Sequence, residues 1–156
     1  MDRKKSRSEP GRQMPIEKML AAFDALRFAV LATSDKGKPY TSLIAFALTP
    51  DHHTLIFATP KATSKYKNIK SEPAVSILLD NRSQDAEDFH SAQAVTLLGT
   101  AKEVRTAAQK AEYRQILVNR QPELAAFIEE PGTSLIAVKI RQAVHVERFQ
   151  NVSRWP

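Results

Sequence analysis

The feature that most constrains this fold is the spacing of its turn signals. Short β-branched and apolar runs follow one another across tight turns instead of alternating regularly with helices. Phe28 to Thr33 reads as a strand, and Ser34-Asp35-Lys36-Gly37-Lys38-Pro39 after it is a run of turn formers. Tyr40 to Leu48 then returns as the second arm of a hairpin, Thr49 to His53 turns again, and Thr54 to Thr59 is a third strand stopped by Pro60. Ala74 to Asp80, Gln93 to Val104 (with Gly99 as a candidate bulge), Ser134 to Ile140 and Ala143 to Phe149 complete the strands. Between them, Ile16, Met19, Leu20, Phe23 and Leu26 recur at helical spacing behind Pro15. Lys61 to Ser71 reads as a short helix, and Asn81 to Ser91 as a polar loop with one helical turn. Thr106 to Val118 reads as a helix with Ala108, Ala111, Tyr113 and Ile116 inward, and Pro122 opens another before Pro131. Strands joined this way argue against a doubly wound parallel sheet and for a small, mainly β (α+β) barrel with peripheral helices, which closes its own edges.

The chain of 156 residues suits a single domain, read here as residues 14–156 behind a disordered basic tail, residues 1–13. That tail carries Arg3, Lys4, Lys5, Arg7 and Arg12 against Asp2 and Glu9, half of the net charge of +6, and reads as a solvated segment. The absence of cysteine excludes a disulfide scaffold, a thiolate metal site and a cysteine nucleophile. The glycines, Gly11, Gly37, Gly99 and Gly132, are too far apart for a dinucleotide fingerprint or a phosphate loop. No apolar run nears the ~20 residues of a membrane span, and no secretory leader is visible, so a cytoplasmic location without membrane contact is expected. His52, His53, His90 and His145 show no metal-ligand spacing, and no G-x-S-x-G elbow marks a nucleophile, so neither a metal nor a hydrolase is expected. The two helices after Thr106 mimic a helix-turn-helix, but the second carries Glu123, Glu129 and Glu130 and no base, which disfavours nucleic acid.

The informative stretch is L-I-F-A-T-P-K-A-T-S-K-Y-K-N-I-K-S-E-P, from Leu55 to Pro73. A strand delivers the chain to Thr59, and a short loop then sets Lys61, Thr63, Ser64 and Lys65 about a helix start. Free N–H groups, two hydroxyls and two ammonium groups there suit a phosphate of charge about −1.5 to −2. A helix cap with scattered surface lysines fits the same composition.

In order, A-V-L-A-T-S-D-K-G-K-P-Y-T-S, the stretch above, A-V-S-I-L-L-D and Q-A-V-T-L-L-G-T-A-K-E-V resemble the pyridoxamine 5′-phosphate oxidase-like, FMN-binding split-barrel proteins over almost the whole folded chain. The resemblance implies a six-stranded antiparallel split barrel of Greek-key type, a homodimer, and FMN in a groove between the subunits. It places Ser42, Leu43 and Ile44 along the flavin, with Ala58 and Thr59 against the cofactor and Ser64 and Lys65 on its phosphate. Ser64 stands where the vitamin-forming oxidases have arginine, a loss for which Lys61 compensates. Gln93 matches a glutamine that reaches the flavin of the partner subunit. Trp155, by position near the terminus, is expected to cap the same groove.

The resemblance implies an FMN-dependent oxidoreductase that passes hydride or electrons to or from a small molecule, with NAD(P)H as a candidate donor. No side chain of the groove is an evident general acid or base. The oxidase's Arg-x-His on the last strands is missing, so pyridoxamine phosphate is not the expected substrate. The alternatives are a flavin-binding protein without turnover, a haem-binding or haem-degrading protein, and a deazaflavin-dependent reductase, since the barrel does not choose among them.

Overall fold

The computed structural model describes residues 12–85, 88–148 and 151–156. Its strands are β1 (Arg12–Gln13), β2 (Phe28–Asp35), β3 (Lys38–Leu48), β4 (Thr54–Pro60), β5 (Ala74–Asp80), β6 (Gln93–Glu103), β7 (Thr133–Glu147) and β8 (Asn151–Trp155). They form one sheet in the order β1-β8-β7-β4-β3-β2-β5-β6, and β6 returns to β7. The six strands from β2 to β7 therefore close an antiparallel barrel, with β8 and then β1 added beside β7. The helices are α1 (Ile16–Ala21), α2 (Ser64–Ser71), α3 (Asp88–Ser91), α4 (Ala107–Arg120) and α5 (Ala125–Ile128), with a 3-10 turn over Pro122–Leu124.

Alternation places one face of every barrel strand inside. Leu31, Ile77, Leu97 and Ile136 fill the interior, and Ile16, Met19, Leu20 and Phe23 from the α1 segment join them. Full burial of each such side chain contributes roughly 1.5–3 kcal/mol. A second cluster lies outside the barrel, where Leu117 of α4 meets Ala47, Ile56 and Leu135.

The structure differs from the sequence reading at five points. The last barrel strand is one continuous element, not two: Leu98 pairs with Gln142 but Gly99 with Ile140, so Arg141 is the extra residue of a bulge. Arg141 and Gln142 are both exposed, and this doubled polar step is what breaks the alternation into two apparent strands. The C-terminal residues form β8, a strand that the short polar sequence there does not announce; Phe149 lies outside the described residues. Arg12 and Gln13, grouped with the tail by charge, pair with Ser153 and Arg154, while residues 1–11 lie outside the described set. Pro60 closes β4, and α2 starts at Ser64 rather than Lys61 because Thr63 is its cap. Ala108 and Ala111 of α4 face solvent; Tyr113 and Ile116 are half-buried and Leu117 is the buried contact.

Candidate functional site

The barrel is split along β3 and β4. Their pairing runs only from Leu48↔Leu55 to Phe46↔Phe57, although both strands continue. Beyond that point β3 keeps β2 as its partner through Lys38, while β4 keeps β7 through Pro60. The β3 edge from Lys38 to Ala45 is thus unpaired on the β4 side, and the gap is bounded across from it by Ala58 to Lys61. Unpaired backbone groups along such an edge are open to pairing with another chain or a ligand.

The loop leaving this gap forms a cap. Thr63 Oγ1 accepts the Tyr66 N–H at 3.3 Å, donates to the Pro60 carbonyl at 2.9 Å and shares a hydrogen bond with Thr59 Oγ1 at 2.9 Å. Lys61 N–H is fixed to the Gly132 carbonyl at 2.8 Å, tying the loop to the entry of β7. Asn68, on the buried face of α2, donates to Thr33 Oγ1 at 3.0 Å and holds the helix over the β2–β3 end of the gap. With Tyr66 N–H capped, the N–H groups of Ser64 and Lys65 are left for an external acceptor at the positive end of the helix. Lys65 is half-buried and has no acidic partner among the described residues.

Sequence reading missed the group that organises this corner. Glu103 ends β6, and its side chain, 15% exposed, receives the Ser134 hydroxyl at 2.5 Å and the Tyr66 hydroxyl at 2.9 Å. Lys61 Nζ lies 3.6 Å and Lys70 Nζ 3.5 Å from its oxygens. Burial raises the carboxyl pKa, but the two hydroxyls and two ammonium groups outweigh it and hold the group at about 2. Burial, with the same carboxylate as neighbour, raises the pKa of the Tyr66 phenol. The available signal was strand parity: Val95, Leu97, Ala101 and Glu103 share the inward phase of β6, and an acid there needs partners.

The other anticipated residues divide by strand parity. Ser42 points inward and Leu43 outward, 67% exposed. Ile44 is buried in the barrel core, so its backbone, and not its side chain, lies along the gap. Ala58 packs against the outer α4 cluster, while Thr59 is buried and turned to the Thr63 cap. Gln93 Oε1 lies 3.0 Å from Nε2 of buried His145. It pairs with Glu147 at one end of β7, whereas Thr59 pairs with Ser134 at the other. At about 3.3 Å per residue the two are roughly 40 Å apart along the strand, so the structure does not bring them together within one chain. Trp155 packs on His53 with ring centroids 5.1 Å apart, at the opposite end of β4 from Thr59, and does not cap the same chain's gap.

A phosphorylated, flat ligand fits this chemistry. The gap offers a strand edge, free helix N–H groups, Lys61 and Lys65, and Ser42 Oγ, which is buried without a hydrogen-bond partner. Among the described residues no three His, Asp or Glu side chains gather as a metal site, and no helix is long and apolar enough to cross a membrane.

Structures similar in fold include a haem binding protein from Mycobacterium smegmatis at TM-score 0.78 and 17% identity, over 94% of this chain and 59% of that one. This chain thus spans about three-fifths of that protein's length. The haem storage protein HutZ from Vibrio cholerae matches at TM-score 0.69 and 17% identity, over 82% of this chain and 92% of its own. A FAD-binding protein from Mesorhizobium loti matches at TM-score 0.69 and 18% identity, over 86% and 93%. No curated protein sequence matches. The family model described as pyridoxamine 5′-phosphate oxidase matches residues 16–147, a span that takes in the barrel, the split and the capped loop, and the chain belongs to that family.

Proposed function

We propose that the protein binds FMN in the β3–β4 split and works as a homodimeric oxidoreductase on a small substrate. The observation that carries this reading is the unpaired β3 edge facing the capped start of α2. Lys61, Lys65 and the first-turn N–H groups hold the phosphate, with the Thr63 and Ser64 hydroxyls beside them. Backbone groups of Ser42 to Ile44 meet the edge of the ring, and Ser42 Oγ gains the partner it lacks. Bound flavin supplies the redox chemistry. The chain's part is to place the ring, shield it and offset charge on it; no proton need pass through a side chain of the split.

A second copy completes the site. Leu43, Val30 and Leu78 form a row across the outer face of β3, β2 and β5, with Phe28 54% exposed beside them. Such a patch fits an isologous contact. Gln93, far along β7 from Thr59, is assigned in this reading to the other copy's split.

The test is the absorbance spectrum of the purified protein, followed by FMN titration and anaerobic reduction with NADH and NADPH. Flavin bands, and a Lys65→Ala variant binding FMN about tenfold or more weakly through loss of a charge-assisted contact, are the expected results. A protein that binds no flavin at any concentration overturns the reading. Haem binding is the second reading, favoured by two haem-named structures of the same fold; a Soret band in the same spectrum would select it. Reduction of bound FMN by neither nicotinamide donor would favour flavin binding without turnover.

A further inference from the structure

Glu103 reaches the cradle from inside the barrel, and its two oxygens carry matched loads. Oε1 takes the Ser134 hydroxyl at 2.5 Å and faces Lys61 Nζ at 3.6 Å. Oε2 takes the Tyr66 hydroxyl at 2.9 Å and faces Lys70 Nζ at 3.5 Å. The hydroxyl contacts are hydrogen bonds; the ammonium contacts are attraction at longer range. Lys61 is therefore steered without being captured: its side chain stays 51% exposed, and its three donors remain available to a ligand. Lys70 shares the carboxylate's charge. Neither Lys61, still half exposed, nor Lys65, which has no acidic partner among the described residues, is consumed by the carboxylate, so both charges remain available to a phosphate monoester of about −1.5 to −2.

We propose that Glu103 is a positioning residue that gives the cradle its preference for a phosphorylated flavin over the same ring without phosphate. It touches neither ligand nor reacting atoms; it acts through Lys61 on the loop, while the Tyr66 hydroxyl holds the carboxylate in place. The inference rests on the flavin reading above. Without the carboxylate, Lys61 is a free surface side chain whose ordering on binding costs conformational entropy. Without Lys70, the carboxylate draws Lys61 inward and away from the phosphate.

The experiment titrates FMN and riboflavin into the full chain by flavin fluorescence, for wild type, Glu103→Gln, Lys70→Met and Lys61→Ala. Glu103→Gln is expected to weaken FMN by about fivefold or more while riboflavin stays within about twofold. Lys70→Met, a surface change that does not threaten folding, is expected to produce the same selective loss. Adding Glu103→Gln to Lys61→Ala should cost little more than Lys61→Ala alone, because both act through one ammonium group. Unchanged FMN affinity in Glu103→Gln and Lys70→Met overturns the role, and so does an equal loss of riboflavin, which would mark a merely structural carboxylate. If wild type binds neither flavin, the cofactor reading fails as well; if wild type prefers FMN and the variants do too, only the assignment to Glu103 fails.

Discussion

Gly99 sits where β6 crosses the bulge of β7 with no room to spare. A Cβ built there would lie 2.6 Å from the Lys139 carbonyl oxygen and 2.8 Å from Val138 Cγ1. Gly99→Ala should therefore destabilise the protein by about 2 kcal/mol, whereas Gly132→Ala, with nothing within 4 Å, should stay within about 0.5 kcal/mol; paired urea melts decide. Gln121 is a second single-residue anchor, 2% exposed. Its Oε1 accepts from Arg27 Nε and Nη2, and its Nε2 donates to the Arg27 and Phe46 carbonyls. Gln121→Ala strands those groups, and a loss of about 2 kcal/mol in the same melts is expected. Glu103 supplies a pH signature. Its folded pKa of about 2 lies below the ordinary 4.5, so its contribution is whole above pH 4.5 and is lost as pH falls toward 2. Acid melts of Glu103→Gln should lack that component, and a wild-type profile flat across the window would contradict the assignment. Part of the chemistry at this scale was legible: Thr63, Ser64 and Lys65 gather about a helix start by residue type, although the helix begins three residues later than Lys61, where the sequence placed it. Glu103 was not, because its meaning depends on four partners distant in sequence.

Among the elements, α2 shows how a cap and a binding surface are made of the same atoms. Thr63 Oγ1 holds Tyr66 N–H, which leaves the N–H groups of Ser64 and Lys65 for another acceptor at the helix start. Thr63→Ala should cost about 1 kcal/mol of stability in thermal melts and also weaken FMN, while Thr63→Ser should restore both. The strands were readable wherever residues alternated, as in Val75, Ile77 and Leu79. They were misread where the backbone departs from period two, at Arg141 and Gln142. In α4, Ala108 and Ala111 matched the helical period, but alanine reports burial poorly, and Leu117 is the residue that docks. The β3–β4 gap had no local signal, since the place where two strands part is set by what each pairs with next.

For the whole molecule, the proposed dimer rests on the outer sheet face bearing Phe28 and Leu43. Phe28→Glu is expected to halve the mass measured by light scattering and to weaken FMN in parallel, because Gln93 of a second copy is then absent. A variant that becomes monomeric yet binds FMN as wild type would separate assembly from the site. The barrel class and the hairpin order could be read from turn spacing; the shared exposure of Leu43 and Phe28 on one outer face could not, since Leu and Phe carry no label in a strand whose other side is core.

The strand β7 has one more consequence, for synthesis. It joins β6 along one side and divides the other between β4 and β8, yet it begins only at Thr133. A nascent chain that has emerged as far as Gly132 holds two raw margins, those of β4 and β6, with no strand to zip them together. Such unfinished sheets are sticky. A ribosome stalling there, or a protease nicking the loop before Thr133, would leave a fragment prone to cluster with its own kind.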